Sequence, residues 1–212
     1  MANVNSSATL LEVGCGAGFS ATYLEGRFGS FVGVDYSEQL IEYANKYNDV
    51  ANTEFVTANI KDFDASERFD IVFAVGLLHH LDDLQLLLGD MANMLKPGGW
   101  LIANEPQPAN PLISLARRIR KRLYTNYSSD QRELSSSELR GSYLAAGLEG
   151  IKVIPHGFFS TPFAEVPLKP RLLMVPFAAI ATLTDKIIER LPAFLTSKLS
   201  WILVVAGRRP TE

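Results

Sequence analysis

Cysteine and histidine are scarce in this chain, with one cysteine, Cys15, and three histidines among 212 residues. A lone thiol forms no internal disulfide, and so few soft ligands leave no cluster for a metal, so the expected metal content is none and the expected setting is a reducing cytoplasm. Long apolar runs are also missing. The most apolar stretch, Leu172 to Thr184, falls short of the roughly 20 residues that span a bilayer. No leading segment has the charged, apolar and small-residue order of a signal peptide. Charge of one sign is not in excess, because 20 Lys and Arg against 23 Asp and Glu leave a net charge of −3. That balance gives no general attraction to nucleic acid. Internal repeats and low-complexity tracts are absent as well.

What is present is ordinary globular material, 47% hydrophobic and 20% charged. The length suits one domain, 1–212, with insertions. Short apolar runs alternate with helix-period segments over the first half, the pattern of βαβ units around a parallel sheet. Strands are expected at Thr9 to Val13, Phe31 to Val34, Asn52 to Thr57, Phe69 to Ala74 and Trp100 to Asn104. Helices are expected at Phe19 to Arg27, at Ser37 to Lys46 with Ser37 as cap, and at Leu84 to Leu95, stopped by Lys96-Pro97-Gly98-Gly99. In the second half, Pro111 to Tyr124 reads as a helix, and Ser135-Ser136-Ser137-Glu138 as a helix start with Gly147 as its stop. Glu149 to Pro155 and Trp201 to Gly207 are the last expected strands, with a proline-rich insertion and a helix over Phe177 to Leu191 between them.

The chemistry concentrates in the turn after the first strand. Gly14, Gly16 and Gly18 let the backbone approach a ligand and leave N–H groups free at a helix start. A dinucleotide fingerprint spaces its glycines G-x-G-x-x-G, whereas these alternate as G-x-G-x-G, which disfavours a pyrophosphate and a nicotinamide-dependent oxidoreductase. Glu12, immediately before the turn, would repel a phosphate and suits a cationic ligand.

Leu10-Leu11-Glu12-Val13-Gly14-Cys15-Gly16-Ala17-Gly18 resembles the first motif of class I S-adenosylmethionine-dependent methyltransferases. Four further segments resemble that family in order: Gly33-Val34-Asp35-Tyr36-Ser37, Phe55 to Ile60, Phe69-Asp70-Ile71-Val72 running to His79-His80-Leu81, and Leu95-Lys96-Pro97-Gly98-Gly99. The resemblance implies a doubly wound α/β sheet of seven strands, order 3-2-1-4-5-7-6, mostly parallel with the last strand antiparallel, and a helical insertion before that strand. It implies a cofactor-binding half over 9–105 and an acceptor-side half with insertions at 106–133 and 157–198. The implied cofactor is S-adenosylmethionine, leaving as S-adenosylhomocysteine. Gly14 and Gly16 would lie against its methionine part, Asp35 would accept from both ribose hydroxyls, Tyr36, Asn59 and Ile60 would frame the adenine, and the Val75 backbone would meet the ammonium.

Two departures from the family pattern follow. Asn59 stands where the family often has aspartate, so a neutral acceptor would face the adenine amino group and bind it more weakly. The chain also enters its first strand after about eight residues, where the family usually has covering helices; either such a segment is missing or the long insertion takes its place.

His79 and His80 follow the fourth strand, at the edge where open α/β sheets bind ligands. The resemblance points to His80 as the inward one and the candidate base, with His79 facing out. Cys15 reads as packing within a tight turn, and His156 as structural or substrate-lining. Arg117, Arg118, Arg120, Lys121 and Arg122 share a segment with Leu112, Leu115, Ile119 and Leu123 at helical spacing, a basic amphipathic helix. Its basic face reads as solvated, as a site for an anionic substrate, or as a contact with acidic lipid at a membrane surface.

Methyl transfer from a sulfonium needs positioning and desolvation more than covalent help. The expected acceptor is a small molecule, aromatic, lipid-like or acidic, and no nucleic acid, since no Asn-Pro-Pro-Tyr-like run follows the fourth strand. A cofactor-binding module without turnover is the alternative from a different class. The sequence leaves the oligomeric state open.

Overall fold

The computed structural model describes residues 6–63, 65–66, 68–81, 83–107, 134–161, 171–192 and 196–211, without the side chains of 171–173. The expected helix at Pro111 to Tyr124, with its basic run, lies outside the described residues, as do nearly all of 106–133 and parts of 157–198.

Seven strands form one sheet: β1 Thr9–Val13, β2 Ser30–Asp35, β3 Thr53–Thr57, β4 Phe69–Val75, β5 Leu95–Pro106, β6 Glu149–His156 and β7 Ile202–Arg208. Their order is β3-β2-β1-β4-β5-β7-β6. The pairs β2–β3, β1–β2, β1–β4 and β4–β5 are parallel, while β7 runs antiparallel to both β5 and β6. This is the fold class that the motif order implies.

The helices are α1 Phe19–Tyr23, α2 Glu38–Tyr47, α3 Leu84–Met94, α4 Ser136–Ala145 and α5 Arg171–Ile188, with single 3₁₀ turns at Ile60–Asp62 and Leu78–His80. Local chemistry sets most of their ends. The Ser37 side chain accepts from Leu40 N–H at the start of α2, and Ser135 forms a reciprocal capping box with Glu138 at the start of α4. Gly147, at φ +78°, ends α4, where its N–H donates to Leu144 O and the Leu148 N–H to Tyr143 O. That pair of bonds closes the helix with a left-handed residue that glycine adopts without strain.

The sheet is covered on both faces, which is why its central strands read as continuous apolar runs. One core joins Leu11, Val72, Leu101, Leu203 and Val205 to α3 and α4, and the other joins Leu10, Phe31 and Ile71 to Ala21, Ile41 and Ala44. Each fully buried leucine contributes roughly 1.5–3 kcal/mol. Among the described residues no helix is long and apolar enough to cross a membrane.

Three expected boundaries move. Helix α1 stops at Tyr23 rather than Arg27, because a turn from Leu24 O to Arg27 N–H with Gly26 at φ +73° ends it. Strand β5 already begins at Leu95: Lys96-Pro97-Gly98-Gly99 stops α3 but forms a register irregularity within the strand, between the pairs Phe69–Leu95 and Ile71–Trp100. Helix α5 spans Arg171–Ile188 rather than Phe177 to Leu191, with Pro176 inside it.

Candidate functional site

The sheet order sets the carboxyl ends of β3, β2, β1 and β4 side by side. Ligands of open α/β sheets bind outside such an edge. Gly14, Gly16 and Gly18 follow β1 at φ +71°, +52° and +76°, a region in which L side chains are strained. The turn is tied to β2, because the N–H groups of Gly14 and Cys15 both donate to Val34 O, at 2.8 and 3.1 Å. A side chain at Gly18 would begin 2.6 Å from the Phe55 ring, and one at Gly14 would begin 2.9 Å from Leu77 Cδ1, so packing dictates glycine at those two positions. At Gly16 the added atom would meet none of the described residues within 4 Å. Here the open space lies over the backbone itself.

Asp35, at the end of β2, accepts from Gly16 N–H through Oδ2 at 2.8 Å and from Ser37 N–H through Oδ1 at 2.9 Å. Each oxygen keeps a second lone pair for a further donor. The carboxylate therefore locks two loops together while remaining able to accept from a ligand's hydroxyls.

Glu12 is 2% exposed. Ser20 Oγ donates to its Oε1 at 2.6 Å, and its Oε2 is buried without a partner among the described residues. Burial, helped by the nearby charge of Asp35 and opposed by the Ser20 bond, pushes its carboxyl up to about 7. A buried carboxylate oxygen left unpaired is costly in free energy. A cation placed there would relieve that cost. Ser20, which sequence reasoning missed, is the second residue of α1, and a hydroxyl eight residues after an acid is too common to signal its role.

The remaining expected residues surround this pair unevenly. Tyr36, next to Asp35, is 84% exposed. Asn59 is exposed and its Oδ1 accepts from Lys61 N–H at 3.1 Å, capping the turn Ile60–Asp62. Ile60 packs against the main core. The loop carrying them is held to β2 by Ala58 N–H donating to Asp35 O at 3.0 Å. Val75 ends β4 half exposed, and Gly76 N–H donates to Asn104 O at 2.8 Å.

The histidine pair is reversed from expectation. His79 is buried and its Nδ1 lies 2.7 Å from Glu105 Oε2, while His80 is exposed. The two residues sit on a 3₁₀ turn, so the alternation that assigns neighbours to opposite faces of a strand does not apply. Burial, with the neighbouring His79 and against the pull of Glu105, lowers the pKa of His80 below the ordinary histidine value. Glu105, one residue past the expected strand Trp100 to Asn104, was not among the expected site residues. His156 Nδ1 pairs with Glu189 Oε1 at 2.7 Å, a structural contact at the end of β6. Cys15 is buried, and its burial, with the charges of Glu12 and Asp35, pushes the thiol up to about 12. At that value it is no nucleophile.

Residues 11–103 match the family described as methyltransferase domain. The chain is 34% identical over 104 residues to a ubiquinone biosynthesis O-methyltransferase of Nitrobacter winogradskyi, covering 48% of this chain and 40% of that protein. It is 30% identical over 102 residues to a fatty-acid O-methyltransferase of Mycolicibacterium smegmatis, covering 47% of this chain and 37% of that protein. The match thus spans about two fifths of the length of these relatives. Among solved structures, an N-methyltransferase of Haemonchus contortus, in complex with phosphomonomethylethanolamine and S-adenosylhomocysteine, shares the fold. Its TM-score is 0.62 and its identity 18%, covering 97% of this chain and 50% of that one.

Proposed function

We propose that this chain, whose residues 11–103 match the methyltransferase domain family, binds S-adenosylmethionine at the glycine turn and directs methyl transfer to a hydroxyl of a small-molecule acceptor. The observation that carries this reading is the Oε2 of Glu12, buried and without a partner among the described residues, in the strand end that leads into the open backbone of Gly16. These residues fit a ligand with a cationic end and a sugar. Gly14 and Gly16 would lie against its amino-acid part, with Glu12 neutralising the positive charge there. Asp35 would accept from the ribose hydroxyls, and Tyr36, Asn59 and Ile60 would border the adenine. The Val75 backbone would meet the ammonium. When bound, the cofactor supplies a methyl group already activated by its sulfonium. The protein's own work is then to hold the acceptor in line and keep water out.

The names of the two relatives favour an oxygen acceptor on an aromatic or lipid-like molecule. In this reading residues 1–212 act as one domain in the cytoplasm, the segments 106–133 and 157–198 build the acceptor side, and Arg117, Arg118, Arg120, Lys121 and Arg122 contact acidic lipid. Calorimetry with S-adenosylhomocysteine, followed by transfer of labelled methyl to catechol and to palmitic acid, tests it. Micromolar binding with labelled product is expected. Stabilisation by NAD with no binding of S-adenosylhomocysteine would refute the cofactor assignment, and binding without product from either probe or from a cell extract would leave a binding module.

A further inference from the structure

Glu105, next to last in β5, is a carboxylate 1% exposed, and four donors converge on it. Its Oε1 accepts from Leu77 N–H at 3.1 Å and Leu78 N–H at 2.8 Å. Its Oε2 accepts from His79 N–H at 3.3 Å and lies 2.7 Å from His79 Nδ1. One side chain therefore fixes the whole turn after β4. A carboxylate surrounded by donors only accepts, so the hydrogen between it and His79 sits on Nδ1. With no second proton on the ring, its lone pair then sits on Nε2. Among the described residues nothing is hydrogen-bonded to that nitrogen.

The turn is also placed for chemistry. Its Leu77 side chain abuts Gly14, and the Cε1 edge of the His79 ring lies 3.9 Å from where a side chain at Gly76 would begin, directly after Val75. His80 lacks this support: it is exposed, among the described residues its ring makes no hydrogen bond, and that ring lies 4.0 Å from the ring of His79. The other titratable groups nearby are committed elsewhere. Glu12 faces the glycine turn, and the wholly buried Tyr143 of α4 keeps its phenol protonated because burial and the charge of Glu105 both raise its pKa.

We propose that Glu105 and His79 form a dyad in which His79 Nε2 takes the proton of the acceptor's hydroxyl and Glu105 is the positioning residue. The inference rests on the methyl-transfer reading and deepens it, since it makes the acceptor a protonated oxygen nucleophile such as a phenol. The proton leaves the hydroxyl for Nε2, the oxygen's electron pair forms the bond to the methyl carbon, and the carbon–sulfur pair departs with the sulfur as a neutral thioether. A carboxylate acceptor, already ionised, would have no use for the dyad.

Ring-nitrogen NMR of the labelled full chain reads the tautomer directly. His79 is expected with its proton on Nδ1, and Glu105→Gln should abolish that preference; a proton on Nε2 in the unaltered protein, or no change in Glu105→Gln, overturns the dyad. Kinetics with catechol then assign the role. His79→Asn keeps a donor toward Glu105 but removes Nε2, so kcat should fall by about a hundredfold or more, with affinity for S-adenosylhomocysteine and the unfolding midpoint unchanged. His80→Asn should cost less than about a tenth of that factor. Transfer to palmitic acid should be insensitive to His79→Asn. The reverse order of the two histidines overturns the proposal. Failure of the unaltered protein to bind S-adenosylhomocysteine counts against the methyl-transfer reading instead, and the tautomer then decides the dyad by itself.

Discussion

Leu77 Cδ1 stands 2.9 Å from the point where a side chain on Gly14 would begin, so the turn after β4 closes directly onto the turn after β1. The three glycines of that turn therefore separate by cause. Gly16→Ala meets none of the described residues within 4 Å and should cost only the about 1–2 kcal/mol of a left-handed L residue. It should nonetheless weaken S-adenosylhomocysteine by an order of magnitude or more, because the methyl enters the space the ligand would fill. Gly18→Ala drives a methyl into the Phe55 ring and should cost about 3 kcal/mol or more in stability. Urea denaturation alongside calorimetry distinguishes the two, and equal loss of stability in both would contradict this division.

Glu12 gives a pH dependence with a definite sign. Its carboxyl is held at about 7 against an ordinary 4.5, so the folded protein keeps a proton that the unfolded chain releases. The stability this contributes is present below the unfolded value and lost as pH rises through 7, a change of about 3 kcal/mol. Unfolding free energy of the ligand-free protein should fall between pH 5 and 8, and Glu12→Gln should flatten the slope. Affinity for S-adenosylhomocysteine should run the opposite way, rising as Glu12 ionises. A ligand-free stability curve that rises over this interval in the unaltered protein and not in Glu12→Gln would reverse the assignment.

The parts of the molecule legible in sequence are those written within a few residues. Ser37, the Ser135–Glu138 box and Gly147 were all readable as helix ends, since capping is local. That the glycine turn and Asp35 follow neighbouring strands was also readable, because loop chemistry and strand ends fall at fixed spacing. The dyad was not, for two reasons. Glu105 and His79 are 26 residues apart and meet only because β4 and β5 are neighbours, and the 3₁₀ turn rotates adjacent side chains by an angle that no strand pattern foretells. The register irregularity at Lys96 to Gly99 escaped likewise, since Pro-Gly-Gly marks a break far more often than a bulge inside a strand.

Asp185 should clamp α5 to the end of β6. It is buried, and it accepts from the N–H groups of Phe158, Phe159 and Ser160 and from Ser160 Oγ. Burial opposes its ionisation, but these four bonds together outweigh burial and lower its pKa below the ordinary aspartate value. Its contribution is present above the unfolded value and lost as pH falls through the lowered one, so it persists at neutral pH. Asp185→Asn should cost about 2–3 kcal/mol, measurable by urea denaturation, and Ser160→Ala about 1 kcal/mol.

Cys15 should resist thiol reagents. Buried and held at about 12, it stays protonated at pH 8 in the folded protein. Labelling with a chromogenic disulfide should follow global unfolding as denaturant is raised. Stoichiometric labelling within seconds in native buffer would show that the turn opens by itself.

The order β5-β7-β6 bears on how the chain is assembled as it is made. Strand β6 lies at the sheet's edge with β7 as its neighbour, and β7 follows the other six strands in sequence, so it leaves the ribosome after them. The strands that bear the glycine turn and Asp35 can pair as soon as residues 9–75 have emerged, whereas β5 keeps a bare edge and β6 has no ladder until residues 202–208 follow. A nascent chain halted before that point would carry a half-built sheet with an open hydrogen-bonding edge, the feature through which strands of separate chains join.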